Sequence, residues 1–282
     1  MKKKVLIVLS EWGYWGEELV GPLHHFDAAG YDVAFATPTG KKPKAIPVSM
    51  DPAYVDPPLG RPVTSEQVAK LTKEIEQSTK LNKPINLSGW FPERPYFSEP
   101  EYLRKLEDYH AALARAQKDL EAYDCLLLVG GSGPIIDMAN NQRVHDLIFG
   151  FLKMKKWIAA ECYGIACLAF ARDWESRRSI IRGKHVAGHP LEYDYKDGYG
   201  FVGIDVSVGP VPYPLEFILR DAVGPAGQFH GNFGKSTCVV VDFPFITSRS
   251  TASSYLCGEM IVKALSAKGQ ESDELQENWH IY

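Results

Sequence analysis

Short, continuous apolar runs recur along the chain, and amphipathic stretches with helical periodicity lie between them. Runs of this kind, with no polar alternation, are typical of strands buried on both faces of a parallel sheet. The pattern predicts strands over Val5–Leu9, Asp32–Ala36, Asp124–Val129, Trp157–Ala160, Ser179–Val186, Asp205–Val208 and Cys238–Val241. It predicts helices over Glu17–Ala29, around Val144–Leu152, after Gly164 and over Ala252–Leu265. Strands that alternate with helices predict one α/β domain over residues 1–282, a three-layer sandwich around a mostly parallel sheet.

The segment from Lys41 to about Leu120 interrupts this alternation. It is rich in proline and carries two charged amphipathic stretches, Ser65–Gln77 and Pro100–Leu120. We interpret it as an inserted helical segment packed beside the sheet. The sequence leaves open whether it caps a functional site or is a solvated decoration without a role in chemistry.

Composition and charge narrow the possible partners. The 282 residues are 45% hydrophobic and 23% charged, which is ordinary for a globular protein. A net charge of −4 argues against a nucleic-acid partner. The apolar run after Lys2-Lys3-Lys4 has only five residues, too few for a signal-peptide core or a membrane span. We therefore expect a cytoplasmic protein that acts on a small molecule, away from membranes.

Cofactor and metal motifs are also absent from the sequence. The five cysteines form no CxxC pair, and no His-Glu-x-x-His pattern occurs, so we expect no metal site. The glycine-rich stretch Gly130–Gly133 lacks both the Gly-Lys-Ser/Thr ending of a phosphate loop and the third glycine of a dinucleotide fingerprint. We expect no cofactor.

Cys162 is the principal candidate for chemistry. It stands between the apolar run that ends at Ala160 and an apolar helical stretch that follows Gly164. A cysteine on a sharp strand-to-helix turn is the thiol counterpart of a nucleophile elbow, and a helix N-terminus favours the thiolate. Spacing alone is equally consistent with a buried, inert cysteine.

Four segments together resemble the ThiJ/PfpI superfamily, which has the class I glutamine amidotransferase-like, flavodoxin-like fold. They are Glu18–Pro22, Leu128–Pro134, Ala160–Gly164 and Ile246–Ser254. The nearest branch is the one with a large insertion, which includes heat-shock chaperones and glyoxalase III proteins. The resemblance implies a catalytic cysteine at the elbow and a homodimer.

The resemblance also assigns roles to residues. Cys162 corresponds to the nucleophile and Glu18 to the acid that hydrogen-bonds its sulfur and relays a proton; Glu17 is an alternative for the acid. The backbone N–H groups of Gly131 and Tyr163 are expected to form an oxyanion hole. The alternative is that the Gly130-Gly131 pair only makes a tight strand-to-helix turn. Candidate pocket residues are Trp15, Trp90, Ser132, Tyr163, His189 and His230. Simple loop packing of the aromatic residues and structural roles for the two histidines are the alternatives.

Tyr163 is the main departure from the family pattern. Many relatives in the glyoxalase III branch have histidine directly after the cysteine, and tyrosine is a poor base at neutral pH. We therefore expect a cysteine-dependent hydratase, hydrolase or lyase that acts on a small electrophile through a covalent Cys162 intermediate. The alternatives are a glyoxalase III-like stress protein with a holdase or redox-sensing role, a glutaminase-like subunit and a pure binding module.

Overall fold

The computed structural model describes residues 2–56, 59–194 and 214–282. Within these ranges the strands are β1 (Lys4–Val8), β2 (Asp32–Thr37), β3 (Val55–Asp56), β4 (Arg61–Pro62), β5 (Ile85–Asn86), β6 (Cys125–Leu128), β7 (Trp157–Glu161), β8 (His185–Val186), β9 (Gln228–Phe229), β10 (Val239–Asp242), β11 (Phe245–Ser248) and β12 (His280–Ile281). The helices are α1 (Gly16–Ala28), α2 (Glu66–Gln77), α3 (Leu87–Trp90), α4 (Tyr102–Leu120), α5 (Pro134–Asp137), α6 (Gln142–Lys153), α7 (Ala166–Phe170), α8 (Leu215–Val223), α9 (Ser254–Ser266) and α10 (Gln270–Glu277).

β1 lies inside the main sheet because its side chains from Val5 to Val8 are all apolar and all fully buried. The strands follow the order β12-β10-β11-β7-β6-β1-β2-β5. All neighbours from β11 to β5 pair in parallel, whereas β10 and β12 pair antiparallel at one edge. This confirms the mostly parallel sheet that the continuous apolar runs predict.

Helices cover both faces of the sheet. Because strand side chains alternate between faces, Val5 and Ile7 pack in one core with α1 and α9, whereas Leu6 and Val8 pack in another with α4, α6 and α7. The predicted three-layer sandwich is confirmed. None of the helices in the described ranges is long and apolar enough to cross a membrane.

Residues 41–120 do not form a single body beside the sheet. β5 pairs with β2 and extends the main sheet. α2 packs on α1, while α4 lies beside α6 and buries Ala116 and Leu120 in the core. Residues 46–56 and 59–63 border a cavity near the end of β7. The segment thus supplies an edge strand, part of the helical layers and a cavity wall.

The structure contains elements that the sequence pattern does not predict. Of the strand predicted over Ser179–Val186, only β8 forms, since Ser179 makes an isolated bridge to Arg172 and residues 180–183 form turns that end with Gly183 at a φ of 79°. β11 coincides with the start of the motif Ile246–Ser254, and the two-residue strands are too short to give a pattern. The strand predicted over Asp205–Val208 lies outside the described residues.

Candidate active site

Cys162 occupies a strained turn at the end of β7. Its φ is 51°, in the left-handed region that costs a residue other than glycine about 1 kcal/mol or more. The turn Cys162–Ile165 leads directly into α7. Gly164 is required for the turn, since a Cβ there would lie 2.5 Å from the Leu128 carbonyl oxygen. The turn therefore has the strand-to-helix geometry of a nucleophile elbow and places the thiol in the cavity beside β7.

Glu18, in the first turn of α1, places its buried carboxyl group close to the sulfur of Cys162 and to the backbone of Gly130 and Gly131. Its Oε2 atom has no hydrogen-bond partner among the described residues. Burial raises the pKa of Glu18 to about 8, more than the neighbouring sulfur and N–H groups lower it. At neutral pH the Glu18 side chain is therefore a neutral acid that can give up a proton. The neighbouring Glu17 instead accepts a hydrogen bond from Thr251 Oγ1, at 2.6 Å.

The resting sulfur of Cys162 is a thiol. Burial, followed by the charge of an ionised Glu18, raises the pKa of the Cys162 thiol well above its ordinary value. The N–H groups of Gly131 and Tyr163 hydrogen-bond the sulfur and lower that pKa, but burial outweighs them. Burial of the sulfur therefore opposes the thiolate that a helix N-terminus favours. A thiol of this kind needs a base to act as a nucleophile.

His189 is the base nearest to this thiol. Its Nδ1 lies 3.3 Å from Cys162 Sγ, and its Nε2 lies 2.9 Å from Oδ1 of the buried Asp194. The Nε2–H bond is not well aligned with Asp194, so this contact is a close polar pair rather than an ideal hydrogen bond. With its proton on Nε2, the imidazole faces the thiol with an unprotonated Nδ1. Cys162, His189 and Asp194 therefore have the arrangement of nucleophile, base and orienting carboxylate.

Tyr163 supports this arrangement from the side. Its ring stacks on His189, with centroids 4.5 Å apart and planes at 23°. Its hydroxyl donates a hydrogen bond to the same Asp194 oxygen that faces His189. Tyr163 thus holds the imidazole and the carboxylate in place. The imidazole beside the sulfur is supplied by the loop after β8.

The structure brings most of the predicted pocket residues together. A cavity of about 180 Å³ beside Cys162 is lined by Trp15, Glu18, Gly131, Ser132, Tyr163 and His189. Side chains from residues 46–56 and 59–63 also line it, as does Tyr193. Sequence analysis missed these residues and Asp194. The only local sequence signal for Asp194 is that it is an acidic residue five positions after His189, which is itself a candidate pocket residue.

Trp90 and His230 lie elsewhere, so their assignment to this pocket needs correction. Trp90, in α3, borders a different cavity and packs near Phe91 and Tyr123. His230 Nε2 lies 2.9 Å from His185 Nδ1, and the Trp279 ring is tilted over His230. Residue type and position in a loop suggest both residues for the pocket, but they do not determine on which side of the sheet the loop packs.

His185 and His189 are four residues apart, a spacing that could chelate a metal on a helix. Here β8 and the following loop direct them to different partners, His230 and Cys162. Across the described ranges, no three His, Cys, Asp or Glu side chains are grouped to hold a metal ion.

Comparison with known proteins agrees with the fold. A sequence model of the family described as ThiJ/PfpI family-like matches residues 9–194, about two thirds of the chain. The chain belongs to this family. The match begins at Leu9, directly after β1, and ends at Asp194, so the cavity residues outside it are Ser250, Thr251 and Ala252, which follow β11.

Individual members of the ThiJ/PfpI family are distant in sequence. The protein named Protein/nucleic acid deglycase HchA from Pseudomonas aeruginosa (strain UCBPP-PA14) is 22% identical over 259 residues, which cover 85% of each chain. The structure of Rapid Encystment Protein 24 KDa from Francisella tularensis matches with a TM-score of 0.64 and 19% identity, covering 94% of this chain and all of that one. Glyoxalase III from Candida albicans matches with a TM-score of 0.53 and 15% identity, covering 92% and 96%. At these identities the structural matches establish the shared fold.

Replacing Glu18 with Gln is expected to speed Cys162 alkylation by iodoacetamide at alkaline pH. Below pH 8 the wild-type Glu18 carboxyl is protonated, so the side chain at position 18 is uncharged in both proteins. Above pH 8 the wild-type Glu18 charge opposes thiolate formation, and Gln removes that charge. The pH profile, measured by peptide mass spectrometry, should therefore shift to lower pH in Glu18→Gln. Glu17→Gln, whose side chain contacts Thr251, should shift it much less; equal shifts would contradict the assignment of Glu18.

Proposed function

We propose that this chain is a cysteine-dependent enzyme that adds water to, or hydrolyses, a small electrophilic molecule through a covalent bond to Cys162. The observation that carries this proposal is the 3.3 Å contact between Cys162 Sγ and His189 Nδ1 inside a lined cavity. A buried cysteine with only a structural role would not need a strained φ, an imidazole and a neutral carboxylic acid around one sulfur.

The first step is the attack of sulfur on the electrophilic carbon. The thiol proton passes to His189 Nδ1 as the sulfur–carbon bond forms, and the electron pair of the attacked multiple bond moves to its oxygen or nitrogen. The N–H groups of Gly131 and Tyr163 lie close enough to the sulfur to lower its pKa, and we expect them to stabilise that developing charge. Asp194 stabilises the imidazolium that forms.

The second step releases the product with water. His189 gives its proton to the leaving or charged atom. His189 then accepts a proton from the attacking water and passes it to the sulfur as the carbon–sulfur bond breaks. If the neutral Glu18 carboxyl supplies the first proton instead, Glu18 accepts the proton of the attacking water and His189 returns its own proton to the sulfur. No redox partner is needed, because no atom is oxidised or reduced over the cycle and water replaces the proton that leaves with the product.

Trapping the intermediate tests this proposal. Wild-type protein is incubated with a panel of uncharged nitriles, isonitriles, activated esters and 2-oxoaldehydes, and intact mass spectrometry follows adducts during turnover. We expect a transient adduct on the Cys162 peptide and loss of product formation by at least about 10³-fold in Cys162→Ala. Cys167→Ala, a buried cysteine outside the cavity, is the matched control and should retain activity. Turnover that survives Cys162→Ala would exclude the proposal.

A second candidate is isomerisation of a 2-oxoaldehyde, as the match to a protein named glyoxalase III suggests. His189 favours it, since the imidazole supplies the base that Tyr163 cannot. After the sulfur adds to the aldehyde, His189 would remove the proton from that carbon and return a proton to the neighbouring carbon. In deuterated water this route places deuterium on the carbon of the product that carries the hydroxyl group, whereas simple hydrolysis leaves carbon–hydrogen bonds unchanged.

A further inference from the structure

One wall of the cavity is mostly apolar. It is built by residues 46–56 and 59–63, whose half-buried side chains Ile46, Val48, Tyr54, Leu59 and Val63 line the cavity. Trp15 and Tyr193 add aromatic rings from other segments. Apolar lining of this kind binds an apolar part of a ligand, while the few polar groups orient the reacting part.

This wall begins directly beside the reacting sulfur. A Cβ atom on Gly131, whose N–H reaches the sulfur, would lie only 3.1 Å from Ile46 Cδ1. The Ile46 backbone is fixed, because its N–H donates to the Tyr14 carbonyl at 2.8 Å and Ala45 forms a bridge to Tyr14. A molecule bonded to Cys162 would therefore contact the apolar wall within its first few atoms.

The cavity volume limits the size of the apolar group. An apolar protein cavity of about 150 Å³ is known to accommodate benzene, and this cavity measures about 180 Å³. The space therefore suits one ring, or a branched aliphatic group of similar size, together with a small reacting group.

The wall carries one charge of each sign. Asp56 and Arg61 are backbone register partners in the β3–β4 hairpin, and both line the cavity. Burial raises the pKa of Asp56, whereas the Leu59 N–H, His189 and Arg61 lower it less. An anionic substrate would meet the Asp56 carboxylate together with the Arg61 guanidinium.

We propose that the substrate is an uncharged electrophile that carries a single-ring or similarly sized branched apolar group, which binds against residues 46–56 and 59–63. This inference rests on the proposed function, because it assumes that Cys162 is the attacking group. It assigns to the first part of the inserted segment the role of selecting the substrate.

The test compares three alkylating probes at Cys162: 2-iodoacetamide, N-benzyl-2-iodoacetamide and the anion 2-iodoacetate. In each reaction sulfur bonds to the methylene carbon, iodide leaves with the electron pair of the carbon–iodine bond, and the thiol proton passes to His189. Rates from peptide mass spectrometry are divided by the rates of the same probes with glutathione, which removes their intrinsic reactivity. Burial of one ring should make the normalised rate of the benzyl probe about tenfold or more higher than that of iodoacetamide.

Matched variants locate the effect on the wall. Val48→Asn, at a lining position, should lower the preference for the benzyl probe several-fold. An unchanged rate with iodoacetamide would show that the Cys162 thiol keeps its reactivity in this variant. Val55→Asn makes the same substitution in the same segment at an exposed residue that does not line the cavity, and the preference should not change.

The outcomes separate the two proposals. Labelling of Cys162 by iodoacetamide without a preference for the benzyl probe would overturn the apolar-substrate proposal and leave the cysteine enzyme standing. A preference for iodoacetate would overturn it in favour of an anionic substrate. Failure of all three probes to label Cys162 ahead of the other four cysteines would overturn both proposals.

Discussion

His189→Gln is expected to slow turnover and Cys162 alkylation at pH 7 by about 10²–10⁴-fold, the usual contribution of a positioned general base. The effect should be large because burial keeps the Cys162 sulfur protonated, and His189 Nδ1 is the base beside it. Glutamine keeps the approximate size of the side chain but cannot take the proton. Stopped-flow alkylation and steady-state assays with the substrate identified by adduct trapping measure the change.

His230→Gln is the control for this experiment. His230 lies against His185 and Trp279, away from the cavity, so the rates should stay within about twofold of wild type. Raising the pH should partly restore alkylation in His189→Gln, because hydroxide can then deprotonate the thiol, whereas a misfolded site would show no such recovery. Equal losses in both histidine variants would contradict a role for His189 in proton transfer.

Gly130→Ala is expected to destabilise the protein and disable the site together. A Cβ at residue 130 would lie 2.3 Å from Glu18 Oε2, 2.4 Å from the Glu161 carbonyl oxygen and 2.8 Å from Cys162 Cβ. Overpacking of this kind typically costs about 1–3 kcal/mol, which corresponds to about 2–4 °C in melting temperature for each kcal/mol. The acid and the nucleophile would also be pushed apart, so alkylation should change even in the folded fraction.

The control for this substitution is Gly89→Ala. In α3, a Cβ at residue 89 has no neighbour within 4 Å, so the melting temperature should stay close to that of wild type. Calorimetric melting curves of the two variants measure the difference. Similar melting temperatures for Gly130→Ala and wild type would mean that the backbone around Glu18 and Cys162 can relax without cost, against the close packing described here.

The sequence predicts the central fold well because the relevant physics is local. Strands such as β1 and β7 are buried on both faces, so they appear as unbroken apolar runs. The elbow is also local, since the end of the strand, Cys162 and Gly164 are adjacent in the chain. Short strands such as β8 carry too few residues to produce a pattern, and their positions depend on tertiary pairing.

The assembly of the site is less predictable than its nucleophile. Glu18 was found by family spacing, and its neutral state follows only from burial that the fold creates. His189 and Asp194 follow Cys162 by 27 and 32 positions, and no periodicity links them to it. Trp90 has the same residue type and a loop setting similar to that of Trp15, yet α3 directs it to another cavity.

The nucleophile and the base of the site follow strands that differ in the number of their backbone pairs. Cys162 follows β7, a fully buried strand of the main sheet, whereas His189 follows the two-residue strand β8, whose partner in its small sheet is the equally short β9. Elements with few backbone pairs open locally at a lower free energy than central strands. Mild denaturant should therefore separate base from nucleophile before the domain unfolds, so that reactivity at neutral pH declines ahead of the global loss of secondary structure.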